Sequence, residues 1–198
     1  MEQPGNIDIH EDDIMVSAKC PEKYLAVNED YVRRYYPSEV FITDLSQTKT
    51  INKYSKGLVI PENVKVAESR MPINAEQSSI LRKELRQAGI LARLGNSVYL
   101  TPEYGAYKIR VTDAVVNGIP YEFRNITGQA RKIESRFGRA KEKGNDVNVF
   151  LNIDADIDIL EAKRRIGLVL ARHHNYTGKI IISLRGNTIY FMDTCDFR

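Results

Sequence analysis

Asp113, Glu122 and Arg124 are the side chains whose types and spacing first offer chemistry. They flank Asn117-Gly118, a dipeptide suited to a two-residue type I′ turn, because both central residues of that turn need positive φ. Such a turn sets Val116 opposite Ile119, and therefore Asp113 opposite Glu122 and Val111 opposite Arg124. Side chains alternate along a strand, so Asp113, Glu122 and Arg124 project from one face. Ala114, Val116, Ile119, Tyr121 and Phe123 make the other face, which reads as core. Two carboxylates opposed at about 4.5–5.5 Å between Cβ atoms repel each other. Arg124, a shared proton or a divalent ion would relieve them, and oxygen-only ligands suit Mg²⁺ or Mn²⁺ rather than zinc. An ion-paired hairpin satisfies the same spacing, and the spacing alone does not choose.

Two further features bear on that choice. Helical projection of Ser78–Leu94 gathers Ile80, Leu81, Leu85, Ala88, Leu91 and Ala92 into one stripe with Glu84 in its middle. A carboxylate there needs a cation, a metal or a donor. Arg110 and Arg124 are the ion-pair partners expected if its role is structural. Downstream, Lys132, Arg136, Arg139 and Lys143 follow an i, i+4, i+7, i+11 spacing and form one row. Seven Lys or Arg residues lie from Arg124 to Lys143 against Glu134 and Glu142 only. Such a row suits a phosphate backbone, although a solvated helix face has the same pattern.

The elements that must position these groups are clearest after residue 75. Periodicity predicts helices over Ser78–Leu94, with Ser78 or Ser79 as cap, over Gly128–Lys143, and over Asp156–Arg172. Strands are expected over Val98–Thr101, Tyr107–Val116, Ile119–Asn125, Val147–Ile153, Lys179–Leu184 and Thr188–Met192, the last two joined at Gly186-Asn187. The order is αβββαβ followed by αββ, an α/β fold with a mixed central sheet flanked by helices. Residues 1–75 read as an α+β appendage and 76–198 as the main domain. In the appendage a helix over Tyr24–Tyr36 carries Tyr24, Val27, Tyr31 and Tyr35 on one side, as packing or as a base-stacking platform. Val40–Asp44 and Leu58–Ile60 are short strand candidates. His173 and His174 fall at a helix end, where cations meet the helix dipole favourably. Neighbouring positions on a helix diverge too far for a joint metal site, and His10 is isolated.

The chain has 198 residues, 42% hydrophobic and 28% charged, with a net charge of +3. That is ordinary globular composition. No apolar run reaches the roughly 18 residues of a membrane span, and the acidic start is unlike a signal peptide. Cys20 and Cys195 are too few for a disulfide scaffold, which fits a reducing cytoplasm, native or that of a target cell. There is no phosphate-binding glycine loop and no CxxC pair.

The segment Val111-Thr-Asp-Ala-Val-Val-Asn-Gly-Ile-Pro-Tyr-Glu-Phe-Arg124, within αβββαβ order, resembles the PD-(D/E)XK nuclease superfamily. It is most similar to the C-terminal tRNA nuclease domain of CdiA contact-dependent growth inhibition toxins. Ile80–Leu94, Val98–Glu103, Arg131–Lys143 and Val147–Ile153 extend the likeness. The resemblance implies a toxin-like, metal-dependent endoribonuclease acting on tRNA, with an immunity protein as a further partner. It assigns Mg²⁺ or Mn²⁺ to Asp113 and Glu122, makes Glu84 the helix glutamate, and puts Arg124 where the family has lysine. Thr112 stands at the family's proline. Arg124 can hold a phosphate and neutralise transition-state charge, but it cannot release a proton near pH 7. Activation of water would then fall to the metal, or the site is weak or inactive and the domain binds nucleic acid or protein without cleavage. Metal-free RNases of the barnase–EndoU–colicin–RelE type are the other alternative.

Overall fold

The computed structural model describes residues 7–8, 22–48, 51–103, 112–185 and 188–197. Its elements in chain order are β1 (Ile7–Asp8), α1 (Glu22–Tyr35), β2 (Phe41–Ile42), β3 (Val64–Ala67), α2 (Ala75–Arg93), β4 (Val98–Leu100), β5 (Ala114–Val116), β6 (Ile119–Thr127), α3 (Lys132–Lys141), β7 (Asn148–Asp154), α4 (Ile159–Leu170), β8 (Ile180–Leu184) and β9 (Thr188–Met192). The fold is α/β with mixed strand pairing. Two compact units divide the chain, one made of the described residues between 15 and 120, the other of residues 7–8 with those from 121 onward. No helix among the described residues is long and apolar enough to cross a membrane.

In the unit up to residue 120, β2 pairs antiparallel with β3, β3 parallel with β4, and β4 antiparallel with β5. Tyr99 and Val115 sit opposite each other and meet Val32 and Tyr36 of the α1 region in one apolar cluster. The face that α1 buries is shifted from the one its apolar residues suggest: Asn28 and Val32 are buried, Tyr31 and Tyr35 of the expected side pack against the same cluster, and Val27 is exposed. Asn28 explains this. Its amide donates to the Ser97 carbonyl and hydroxyl oxygens, both at 2.8 Å, and its Oδ1 accepts from the Gly118 N–H at 2.7 Å. A fully satisfied amide can be buried where an unpaired one cannot. Helix α2 starts earlier than its serines suggest, with Asn74 as the cap accepting from the Gln77 N–H at 2.8 Å. Leu81, Leu85, Ala88, Leu91 and Ala92 are buried as the stripe requires, but Ile80 is exposed. Leu58–Ile60 is not a strand; the strand in this region is β3.

In the second unit β6, β7 and β8 pair parallel in that order, and β9 and β1 continue antiparallel from β8. Ile133, Phe137 and Ala140 of α3 and Ala162, Ile166 and Val169 of α4 share one core with Ile126, Val149, Leu151 and Ile153. These are the apolar periodicities of the two helices, although α3 begins at Lys132 rather than Gly128 and α4 at Ile159, capped by Asp158. Arg165 ties the helices together, donating to Glu134 at 2.8 Å and to Glu161 at 2.6 Å. The expected strand segment 107–111, including Arg110 and Val111, and the turn at Gly186-Asn187 lie outside the described residues, as do His10 and Cys20.

Candidate functional site

The turn at Asn117-Gly118 has the backbone that its sequence asks for, with φ of 50° and 82°. Asn117 Oδ1 accepts from the Ser97 N–H at 2.9 Å, so the turn is anchored from its own side chain as well as from Asn28. The turn fixes the phase with which β6 leaves it. Along β6, Glu122, Arg124 and Ile126 stand opposite Val149, Leu151 and Ile153 of β7. All but Glu122 and Arg124 among these six belong to the core beneath α3 and α4. The carboxylate is therefore carried on a strand face that buries apolar side chains.

Glu122 is 0% exposed. Its Oε2 accepts from Arg124 Nη2 at 2.9 Å and its Oε1 from Lys143 Nζ at 2.7 Å. Arg124 Nη1 also donates to the Phe123 carbonyl at 2.7 Å, which fixes the guanidinium plane. The carboxylate is sealed while the two cations reach outward, their side chains 20% and 39% exposed. One buried anion thus orients two partly exposed cations, and a charge-assisted hydrogen bond of this kind fixes their geometry. The helical spacing puts Lys143 in the surface row, but it turns onto Glu122 instead. That placement depends on how the chain leaves α3, which periodicity does not report.

Glu84 and Asp113 form a second cluster, in the other unit, around a residue that sequence reasoning missed. Arg70 pairs with Glu84 through Nη2, and its Nη1 donates to the carbonyl oxygens of Thr101 and Asp113, both at 3.0 Å. The cation beside Glu84 is thus a buried arginine brought from a short 3₁₀ turn over Glu68–Arg70, while Arg124 pairs with Glu122 and Arg110 lies outside the described residues. Burial pushes the Glu84 carboxyl up to about 7, opposed by the charge of Arg70 and reinforced by the negative charges of Asp113 and Glu103. No local pattern in the sequence marks Arg70 as buried. The pairing of Asp113 with Glu122 remains the expectation set by the turn.

The rest of the basic row flanks the buried face of α3. Arg136 and Arg139 are exposed and make no ion pair among the described residues, while Lys132 donates to the Thr127 carbonyl at 3.2 Å. A divalent ion of the kind the resemblance implies needs open carboxylate oxygens. Each oxygen of Glu122 already accepts from a cation, and Glu84 is tied to Arg70. No protein-family model matches the chain, and neither a curated protein nor a solved structure is found to be similar to it.

Proposed function

We propose that the chain is an endoribonuclease, with tRNA as its substrate and the Glu122–Arg124–Lys143 cluster as its phosphate-handling centre. The observation that carries this reading is a fully buried carboxylate whose two oxygens orient one guanidinium and one ammonium toward solvent. Arg124, held in plane by Glu122 and the Phe123 carbonyl, binds a non-bridging phosphate oxygen and neutralises charge as it develops. Lys143 is the more exposed of the two and can give a proton to the departing oxygen, a role closed to arginine near pH 7. Exposed Arg136 and Arg139 hold the flanking backbone without reading bases. The run of elements from α2 to β9, which is αβββαβ followed by αββ, supports a likeness to the PD-(D/E)XK fold. With that likeness comes the proposal of a toxin effector acting in a target cytoplasm.

Incubating the purified chain with bulk tRNA in Mg²⁺, in Mn²⁺ and in EDTA tests the reading. Nicking is expected. If EDTA removes it, Mg²⁺ or Mn²⁺ held by Asp113 and Glu122 is part of the chemistry. If it persists in EDTA, the strand's own ribose 2′-hydroxyl attacks the phosphorus and gives its proton to solvent, Lys143 protonates the departing 5′-oxygen, and a 2′,3′-cyclic phosphate is left without any metal. A second reading, a nucleic-acid-binding domain without cleavage, is favoured by one observation: both oxygens of Glu122 are already engaged. Binding of tRNA with no nicking under any condition would select it.

A further inference from the structure

Two cavities that share His173 and His174 in their linings lie at the ends of α3 and α4, both within the unit from residue 121 onward. One, of about 200 Å³, is walled by Leu170, Tyr176, Thr194 and Phe197 among others. The other, of about 350 Å³, is lined by Lys141, Asn145, Arg172 and Asn175. His173 and His174 line both. The first is aromatic and apolar at its floor: Tyr176 is buried, and Leu170 and Phe197 pack against the core. The second presents only cations, imidazoles and amides. Glu142, Asp146, Asp193 and Asp196, the nearest acids along the chain, line neither cavity. Lys141 and Arg172 make no ion pair among the described residues, unlike Arg124, Arg165 and Lys143.

One side of the cleft is pinned by hydrogen bonds. The Thr177 N–H donates to the Asn145 carbonyl at 2.7 Å, and Tyr176 Oη donates to the Val147 carbonyl at 2.6 Å. At Gly178 a Cβ would come within 2.0 Å of the Val147 carbonyl oxygen, so only glycine lets these two segments approach. A rigid cleft loses little ordering entropy on binding.

We infer that this double cleft binds a nucleotide, with the base in the aromatic cavity and the phosphate among Lys141, Arg172 and the imidazoles. Together the two volumes fall in the range of small-molecule sites. Aromatic rings and imidazoles stack on unpaired bases, and protonated imidazole, ammonium and guanidinium groups all donate to phosphate. The ligand is either a free nucleotide or one unpaired residue of a strand, since both present the same base and phosphate. The inference does not depend on the proposed cleavage.

The test follows the histidine C2 protons by NMR while adenosine 5′-monophosphate, adenosine, pyrophosphate and a single-stranded oligoadenylate are each titrated into the full chain. Adenosine monophosphate should saturate and shift two histidines. Adenosine and pyrophosphate should each bind more weakly by about tenfold or more, since each lacks one half of the recognition. The double variant Lys141→Ala/Arg172→Ala should bring the nucleotide down to the affinity of adenosine, and Phe197→Ala down to that of pyrophosphate. Preserved spectral dispersion would show that the variants fold. Saturation by oligoadenylate at lower concentration than the mononucleotide assigns the site to a strand, and the reverse order to a free nucleotide. Pyrophosphate binding as tightly as the nucleotide, or no histidine shift at millimolar nucleotide, overturns the inference. The tRNA nicking assay is read separately, so its failure leaves this result untouched.

Discussion

Glu84 and Glu122 are both buried carboxylates held by arginine, yet their surroundings differ in kind. Arg70, the partner of Glu84, is itself only 7% exposed and directs its remaining donors to two carbonyl oxygens. Further acids, Asp113 and Glu103, press on the same carboxyl. Glu122 has the reverse arrangement: the acid is sealed, and both of its cations reach water. The first cluster is a clamp on the chain, and the second is a platform on which one sealed acid holds two partly exposed cations. Burial of a carboxylate therefore says little about function until the exposure of its partners is known.

The largest effect should come from Arg70→Ala, which leaves Glu84 without its cation and takes one donor from each of the Thr101 and Asp113 carbonyls. A loss of about 3–5 kcal/mol is expected for a broken buried pair, read by urea denaturation. Glu122→Gln should cost less, about 1–3 kcal/mol, because Arg124 and Lys143 can turn to solvent. Equal losses in the two variants would erase the distinction between clamp and platform.

The pH dependence sharpens it next. Glu84 titrates at about 7 in the folded chain against an ordinary value of 4.5. A carboxyl raised in this way contributes stability that is complete below about pH 4.5 and is lost as pH rises through about 7. Melting temperature should thus fall from about pH 5 to about pH 8 more steeply in the parent than in Glu84→Gln. Parallel slopes would mean that Glu84 stays ionised throughout.

The platform has an outlying part whose effect on folding is the smallest. Neutralising Arg136 and Arg139 together should leave stability within about 0.5 kcal/mol. It should also flatten the salt dependence of RNA binding, by about 0.7 in log–log slope for each phosphate no longer neutralised on a single strand. An unchanged slope would make α3 an ordinary solvated helix face.

Local rules made part of this legible. Asn117-Gly118 specifies positive φ twice, and both angles are positive. The Ile133, Phe137 and Ala140 spacing specifies a buried stripe, and all three are fully buried. Glu84 stands out because it interrupts such a stripe. What stayed hidden depends on interactions between residues distant in sequence. Asn28 is buried because Ser97 and Gly118 satisfy it, so the buried face of α1 is shifted toward a polar residue while Tyr31 and Tyr35 still pack as their spacing suggests. Arg70 reaches Glu84 from a turn with no periodicity of its own. Lys143 shares the spacing of Arg136 and Arg139 but lies past the end of α3, where the helical projection no longer governs its direction. The two histidines look like helix-end cations, and only the packing of Phe197 and the 141–145 segment around them shows a cleft.

On the function proposed above, the Glu122–Arg124–Lys143 cluster acts on RNA phosphates. Single-turnover nicking of tRNA by the parent and by Lys143→Met, both checked to melt at similar temperatures, tests it most directly. Loss of a general acid or of one preorganised donor should slow cleavage by about 10²-fold or more while tRNA binding changes far less. Cleavage by Lys143→Met at the parental rate would contradict the account.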